Sequence, residues 1–419
     1  MANQFTKDLE ILFENYVNGF EASCVLSKRA KIFRPGDTEM QRAGDVVYRP
    51  QHYHMKIVEG LDLQQSDATD LLQRQVPSVF KAPQNIVYVL DAKEMRDEEH
   101  KTEAGRAAGQ RLAAKIDQDL SSEVALRATN VVTIDAASAG AGTMGRDLWN
   151  AAAGIKALMT NTGVPAGLGR QAFWNADSYK DLAQELGHRQ TYQGATISAY
   201  EAAQIPDVAG FKSWEVDVAG VVPSGTPTAI TLNGVPAHKI DVQDANGVPS
   251  DNRQGTITVS AEGLQVGDAF TIAGVNSVHQ ITKTDTGKPQ VFRVLGVSGT
   301  TATISPKILP VDNTDAPSRP YANVTANPTT NAAITILNAN PSQVNALWAD
   351  GSVELMLGKL AFPTGQGAQV MTATTKQGAT LIMAYQFDIL TAKMTARFTT
   401  LYGTNVLVPE YTGIIIPGQ

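Results

Sequence analysis

The chain has 419 residues, of which 43% are hydrophobic and 18% are charged. This composition is typical of a globular protein and excludes a disordered, collagen-like or fibrous chain. The net charge of −7 argues against nucleic-acid binding as the main role, because such domains normally carry a basic excess. Cys24 is the only cysteine, which excludes a disulfide framework and a thiolate metal cluster. Neither a signal peptide nor an apolar run of about 20 residues is present, so we expect cytosol-like conditions.

Residues 5–30 alternate apolar and polar side chains at helical spacing, and they predict an amphipathic helix that Gly19 interrupts. The apolar face comprises Phe5, Leu9, Leu12, Phe13 and Tyr16. Acidic side chains at Asp8, Glu10 and Glu14 accompany it. A terminal helix of this kind docks on its own core or on a neighbouring molecule, and the pattern leaves both open.

Residues 31–90 are β-rich, with prolines as punctuation, and their polar middle (residues 61–78) predicts a long projecting hairpin. His52 and His54 alternate along this stretch. They could share one face as metal ligands, but no acidic or cysteine partner stands at a telling distance. An exposed strand face is therefore the favoured interpretation.

Asp91–Thr129 is the longest helical pattern of the chain, without proline and rich in strong helix formers. Asp91 and Glu94 are spaced as a capping box, and Lys115–Asp119 is spaced to pair across one turn. An apolar stripe is formed by Leu112, Ile116, Leu120 and Val124. Gly105 and Gly109 either weaken the helix or let another backbone come close. We expect a structural spine rather than a catalytic element.

Residues 130–221 alternate strand and helix patterns, as in a small α/β unit. Its first helix has Leu148, Ala152, Ile155 and Leu158 on one side. In its second helix, Asp177 or Ser178 is the expected N-cap and Gly187 the expected end.

From Val221 to about Pro320 the pattern changes to short alternating stretches, one of which is residues 279–284, and turn residues separate them. This spacing predicts an antiparallel β-barrel, closed or nearly so. Helix-forming sequence is expected to resume at residues 331–350, which makes the barrel an insertion. Strands return from Gly351 to Gln419, with residues 379–403 as a half-buried hairpin.

Gly140, Gly142 and Gly145 spell G-x-G-x-x-G, the dinucleotide-binding pattern. The glycines do not directly follow the preceding strand, and no acidic residue ends a following strand, so a flexible Gly/Ala loop is favoured. The sequence contains no other catalytic motif. We predict no catalytic residues, no cofactor and no metal site.

Several local segments, in this order and spacing, resemble the major capsid (coat) proteins of tailed phages, of the short-tailed Salmonella phage P-22 type. They are Met40–Arg42 (MQR), Asp251–Arg253 (DNR), Gly263–Val275, Tyr321–Val324, Leu347–Asp350 and the terminal LYGTNVLVPEYTGIIIPGQ.

The resemblance implies an α+β fold of the Hong Kong 97 phage capsid type. In this chain an antiparallel β-barrel domain would be inserted into that fold. Residues 1–34 would be the N-arm, 35–90 the start of the P-domain with the E-loop, and 91–130 the spine helix. Residues 131–221 would be the A-domain and 222–340 the inserted barrel. Residues 341–385 would continue the A-domain, and 386–419 would form the β-hinge and P-domain strands.

The resemblance also implies function. Copies of the chain would form hexamers and pentamers of an icosahedral head in the virion, assembled in the host cytoplasm. A procapsid would form around scaffolding protein, with a portal protein, and would expand as double-stranded DNA is packaged without sequence-specific binding. No membrane partner is expected.

Three groups of residues follow from the resemblance as candidates. Asp8, Glu10 and Glu14 are candidate contacts for a basic scaffolding segment. The loop residues Asp241, Asp244, Asp251 and Arg253 are candidate contacts between capsomers, with solvated turn residues as the alternative. Gly105 and Gly109 are candidate bending points of the spine helix during expansion.

Two rival functions remain. A tail or decoration protein would share the barrel pattern, but it leaves the spine helix and the N-arm unexplained. A nucleotide-dependent enzyme built around Gly140–Gly145 is the rival from the enzyme class.

Overall fold

A computed structural model describes residues 5–36, 42–55, 72–91, 94, 97–140, 142–188, 202–203, 205–225, 229–243, 247, 249–360, 362 and 368–419. The predicted hairpin tip at 56–71, residues Met40 and Gln41, and Asp244 lie outside these ranges. The helices of the described chain are α1 (Phe5–Ser23), α2 (Glu98–Arg127), α3 (Ala137–Gly140), α4 (Met144–Asn161) and α5 (Ala176–His188).

The strands fall into two groups along the chain. Before α4 they are β1 (Lys31–Phe33), β2 (Val46–Pro50), β3 (Gln75–Val79), β4 (Gln84–Asp91) and β5 (Asn130–Thr133). After α4 they are β6 (Arg170–Asn175), β7 (Lys212–Val216), β8 (Val221–Val222), β9 (Ile230–Thr231), β10 (Gly255–Thr258), β11 (Ala269–Val278), β12 (Asp285–Ser298), β13 (Thr301–Ser305), β14 (Ala333–Ile336), β15 (Ser342–Gln343), β16 (Asn345–Ala349), β17 (Val353–Leu357), β18 (Gln369–Thr374), β19 (Thr380–Asp388), β20 (Lys393–Thr400), β21 (Tyr402–Val406) and β22 (Thr412–Ile416).

The chain divides into two compact units, each made of three segments. The first unit comprises residues 1–47, 78–120 and 354–405. Its four-stranded antiparallel sheet has the order β18-β19-β20-β4. The predicted hairpin of β19 and β20 is confirmed, with Leu381 opposite Thr400 and Asp388 opposite Lys393.

The second unit comprises residues 48–77, 121–353 and 406–419. A mixed five-stranded sheet has the order β5-β22-β16-β6-β7, and α4 and α5 pack on it. The predicted inward side of α4 is confirmed for Leu148, Ala152 and Ile155, which are buried in one core. The N-cap of α5 is Asn175, not the predicted Asp177 or Ser178, because its side chain accepts the Ser178 N–H at 2.7 Å.

The same unit contains a six-stranded antiparallel sheet of order β10-β13-β12-β11-β14-β9 with its own apolar core. Beyond its two outer strands, Leu232 and Val259 form an antiparallel bridge. The prediction of helix at residues 331–350 is wrong, because β14, β15 and β16 occupy this stretch. Residues 279–284, expected as a strand, form a turn between β11 and β12.

Helix α2 is continuous from Glu98 to Arg127, which gives a length of about 45 Å at 1.5 Å per residue. Its predicted apolar stripe is buried, and the Lys115–Asp119 pair is present at 2.9 Å. The predicted start at Asp91 is wrong, since this residue ends β4. Asp97 caps the helix instead: its carboxylate accepts the N–H groups of Glu99 and His100 at 3.1 and 3.4 Å.

Candidate assembly surfaces and their anchors

Helix α1 has one face in the core of its unit and one acidic face. Leu12, Tyr16 and Phe20 are buried, whereas Glu10 and Glu14 are exposed one turn apart. The side chain of Asp8 lies outside the described residues. The structure therefore answers the question that the sequence left open: the helix docks on its own chain and leaves carboxylates accessible.

Three glycines explain how closely α1 approaches α2. A Cβ added to Gly105 would lie 2.4 Å from the Leu12 carbonyl oxygen. A Cβ added to Gly109 would lie 2.3 Å from the Tyr16 carbonyl oxygen. On the other helix, a Cβ at Gly19 would lie 2.6 Å from the Arg106 carbonyl oxygen. The expected interruption of α1 at Gly19 is wrong, because the helix continues to Ser23. These glycines permit backbone contact between the helices, one of the two roles predicted for Gly105 and Gly109.

Asp117 anchors the turn that follows α1. Its carboxylate accepts the backbone N–H groups of Val25, Leu26 and Ser27 at 2.7, 3.1 and 2.9 Å. Burial raises the pKa of Asp117, and these three donors offset part of that rise. The sequence analysis missed this role. The available signal was an acidic residue on the apolar stripe, next to Ile116, where burial demands hydrogen-bond donors.

A second carboxylate of α2, Asp119, collects three partners within the same unit. Lys115 and Lys81 lie 2.9 and 3.2 Å away, and the Tyr402 hydroxyl donates to it at 2.9 Å. Burial alone would raise the pKa of Asp119, but the hydrogen bond from Lys115 and the charge of Lys81 outweigh it and lower the pKa. Asp119 thus holds Tyr402, at the start of β21, and Lys81, two residues after β3, on α2.

The loop predicted to reach a neighbouring capsomer contains an ion pair within the chain. Arg253 donates from Nη2 and Nε to the two carboxylate oxygens of Asp251, at 2.8 and 3.0 Å, and also to the Val406 carbonyl. Burial opposes ionisation of Asp251, but the charge of Arg253 prevails and lowers its pKa. The Arg253 side chain is almost fully buried, so this ion pair is made within the subunit, and the predicted contact between capsomers stays a prediction for Asp251 and Arg253.

The rest of that loop is more accessible. Asp241 lies 3.2 Å from Lys239, and both side chains are exposed. Asp244 lies outside the described residues. The predicted contact between capsomers stays a prediction for Asp241 and Asp244 as well.

Arg293 on β12 is a fully buried cation that the sequence analysis missed. Its guanidinium donates to the carbonyls of Ala125, Leu126 and Gly267. The distance is 3.2 Å to the Leu126 oxygen and 2.9 Å to the Gly267 oxygen. The first two carbonyls belong to the last turn of α2, whose C-terminal end carries partial negative charge. Burial lowers the pKa of Arg293 to about 10, against the charge of Asp268. No local pattern identifies a helix cap that lies 167 residues downstream of the nearest carbonyl it binds, that of Leu126, so only tertiary structure could find it.

An apolar turn joins β19 and β20. The side chains of Phe387, Ile389 and Leu390 are 52%, 85% and 96% exposed. Asp388 shapes the turn, since its carboxylate accepts the Leu390 N–H at 3.0 Å and the Thr391 hydroxyl at 2.7 Å. Three adjacent large apolar side chains held in water at an ordered turn are typical of a surface that another molecule covers.

The glycine pattern at 140–145 does not have the geometry of a nucleotide site. The short helix α3 separates β5 from Gly142, which adopts a positive φ of 67°. Gly145 lies within α4, where a Cβ would lie 2.3 Å from the Asp181 carbonyl oxygen of α5. Its role is therefore close packing between two helices. Among the described residues, no three His, Cys, Asp or Glu side chains are grouped to hold a metal ion.

The model of the P22 coat protein family (gene protein 5) matches residues 1–418 of this chain. The chain belongs to the P22 coat protein family. It is 74% identical to the CUS-3 coat protein I-domain, over 27% of this chain and 99% of that one, with a TM-score of 0.24.

More distant similarities to solved phage structures extend over most of this coat protein. The capsid structure of cyanophage P-SCSP1u is 11% identical over 94% of this chain and 88% of that one, with a TM-score of 0.46. A structure from Mycobacterium phage Che8 is 12% identical over 89% and 84%, with a TM-score of 0.44.

Family membership makes the chain a major capsid protein, a structural component of the virion that associates with its own copies. Surfaces for self-association are then among its functional sites. Within the described residues, no helix is both long and apolar enough to cross a lipid bilayer.

Proposed function

We propose that this coat protein builds an icosahedral head of hexamers and pentamers through a scaffold-directed procapsid. The procapsid forms in the host cytoplasm with a portal protein, and it expands when double-stranded DNA is packaged. The observation that carries the proposal is the family match over residues 1–418. The exposed acidic face of α1 and the apolar turn between β19 and β20 support it, because both suit contacts with other proteins.

We further propose the Hong Kong 97 type of capsid fold, with α2 as its spine helix and residues 222–340 as an inserted, closed barrel. Contacts between the outer strands of the six-stranded sheet support closure. The Asn233 N–H donates to the Thr258 carbonyl and the Ser260 N–H donates to that of Thr231, both at 2.8 Å. The 74% identity to a coat protein I-domain supports the assignment of an inserted domain.

The remaining boundaries are proposed on the same basis. The N-arm is residues 1–34, the P-domain start with the E-loop is 35–90, and the A-domain comprises 131–221 and 341–385. The β-hinge and P-domain strands are residues 386–419. The grouping of residues 78–120 with residues 386–405 in one compact unit supports a shared P-domain in part, although the same unit also includes residues 354–385 of the proposed A-domain.

Scaffolding contact through α1 predicts a charge effect. Replacing Glu10→Gln together with Glu14→Gln removes two exposed carboxylates, each worth about 0.2–1 kcal/mol in an ion pair. We expect scaffolding affinity to fall on the order of two- to thirtyfold, with little change in monomer stability. The measurement is co-assembly with scaffolding protein at several salt concentrations, followed by electron microscopy.

The matched control is Glu98→Gln with Glu99→Gln, which removes the same charge from the exposed first turn of α2. Equal loss of scaffolding binding in both double variants would contradict a specific role of α1. Asp241 and Asp244 can be tested in the same assay as contacts between capsomers. Asp251 is unsuitable, since its loss would leave the buried Arg253 without this carboxylate.

Self-association through the apolar turn predicts a second effect. Replacing Ile389→Ser with Leu390→Ser should leave monomer unfolding unchanged, because both side chains are almost fully exposed. Burial of one such side chain is worth about 1.5–3 kcal/mol, so the critical concentration for shell assembly should rise at least about tenfold. Light scattering during assembly measures it.

Ile281→Ser is the control, because Ile281 is 65% exposed on a different turn. Assembly of the Ile389/Leu390 variant at the wild-type critical concentration would show that the turn is not covered in the shell.

A further inference from the structure

Tyr321 joins two chain segments that flank residues 56–71. All these residues belong to one compact unit, which contains residues 48–77 and 121–353. The Tyr321 hydroxyl donates to the Leu72 carbonyl. Burial raises the pKa of Tyr321, and the nearby backbone N–H of His54 offsets part of that rise. Tyr321 thus hydrogen-bonds the segment that follows residues 56–71, and its ring contacts the segment that precedes them.

The ring of Tyr321 makes further contacts with the same two segments. The His54 imidazole meets it edge-on, with ring centroids 5.2 Å apart, and the Arg74 guanidinium carbon lies 4.9 Å from its centroid. Leu72 packs against the apolar cluster that includes Tyr321. We call His54, Leu72, Arg74 and Tyr321 the Tyr321 clasp.

Backbone hydrogen bonds depend on the same alignment. The Gln51 N–H donates to the Arg74 carbonyl at 3.0 Å, and the Asn252 N–H donates to the Gln75 carbonyl at 3.3 Å. Their protection from exchange therefore reports whether the clasp is closed.

The electrostatic surroundings of His54 disfavour a further proton. Burial lowers the pKa of His54 to about 4, and the positive charges of Arg74, Lys283 and His52 act in the same direction. Lys283 is itself partly buried, donates to the Ala322 carbonyl at 3.0 Å and has its pKa lowered to about 8. Other titratable groups nearby are Tyr53, Tyr321, Glu410 and Tyr411. Glu410 is the carboxylate among them, and its negative charge acts to raise the pKa of Lys283 and of Tyr411.

We propose that the Tyr321 clasp is an acid-sensitive joint, which holds residues 50–55 and 72–77 together at neutral pH and releases them when His54 is protonated. Protonation adds a positive charge beside Arg74 and Lys283, where desolvation has already made positive charge costly. This inference goes beyond the proposed assembly function, because it concerns the subunit alone.

The direction of the pH effect follows from linkage. The open state binds a proton at the ordinary pKa of about 6.5, whereas the closed state binds it only near 4. Closure is therefore fully favoured above pH 6.5, weakens as the pH falls toward 4, and changes no further below that. The opening equilibrium should rise about 20-fold between pH 7 and pH 5.

Hydrogen exchange of the full-length monomer tests the proposal. We expect protection factors in peptides covering residues 50–55 and 250–253 to fall about 20-fold from pH 7 to pH 5, after correction for intrinsic exchange. His54→Gln should abolish this pH dependence, because glutamine does not titrate. The control His100→Gln changes an exposed histidine of α2 and should retain the wild-type fall.

Tyr321→Phe provides a second variant that keeps the ring and removes only the hydroxyl. Loss of its hydrogen bond to the Leu72 carbonyl should lower protection of the same peptides at pH 7 by about twofold or more. Protection that does not change with pH in the wild type, an unchanged fall in His54→Gln, or full protection in Tyr321→Phe would each overturn the proposal. These outcomes are independent of shell assembly, which is not measured.

Discussion

Helix α2 is held at its two ends in opposite ways. Near its N-terminal half, α1 touches it through Gly105 and Gly109, where the absence of side chains brings the two backbones together. At its C-terminal end, Arg293 fills the space with a fully buried guanidinium that binds the last carbonyls. The first contact depends on shape and the second on charge.

The comparison shows that the sequence pattern can reveal one contact of a helix and give no sign of another. Glycines in a strong helical pattern are conspicuous, because they weaken a helix and need a compensating reason. Arg293 stands in an ordinary strand pattern, and its role depends on partners 167 and 168 residues upstream. A contact made by an absent side chain can thus be suspected from sequence, whereas this distant cap cannot.

The strongest test of the comparison is Arg293→Met, which keeps much of the side-chain volume and removes the charge. The carbonyls of Ala125, Leu126 and Gly267 would lose their donor inside the protein. We expect the free energy of unfolding to fall by about 3–5 kcal/mol, as for a broken buried polar network. Urea denaturation of the monomer measures it.

Lys115→Met is the matched control for Arg293→Met, because it removes an exposed cation from the same helix. Its pair with Asp119 should contribute under about 1 kcal/mol. If the free energy of unfolding fell equally in both variants, the buried Arg293 would stabilise α2 no more than an exposed lysine does.

The glycine contact is tested by Gly109→Ala, for which we expect a smaller loss. The new methyl group would collide with the Tyr16 carbonyl oxygen and the Phe20 nitrogen, 2.3 and 2.6 Å away. Overpacking of this kind lowers the free energy of unfolding by about 1–3 kcal/mol. The higher helix propensity of alanine raises it by about 1 kcal/mol, so we expect a net loss of stability. The same urea titration measures the difference.

Gly154→Ala on α4 is its control, since the nearest atom to the added Cβ is the Val132 Cγ2 at 3.7 Å. This variant should be neutral or stabilised, because the position has room for a methyl group. A stabilised Gly109→Ala would contradict the close-contact role. The hypothesis that Gly105 and Gly109 bend during expansion stays a prediction, and alanine variants test it only if α1 remains docked.

Sequence patterns identified most of the elements on which these sites stand. The strands of the hairpin β19–β20, the inward side of α4 and the buried stripe of α2 follow from periodicity, because alternate or every-fourth residues must face the core. The prediction of a helix at residues 331–350 was wrong, because helix-forming residues there pair as strands with distant partners. Tertiary pairing overrides local propensity in such a case.

The sequence by itself determined that α1 is amphipathic, that α2 is a long helix with a buried apolar stripe and that antiparallel strands follow Val221, and the resemblance indicated a phage coat protein. Only tertiary structure decided that α1 docks on its own chain, that Asp251 and Arg253 pair within the subunit, and that Arg293 caps α2. The physical reason is range. Periodicity and capping are encoded within a few residues, whereas a buried charge takes its partner from whatever the fold brings beside it.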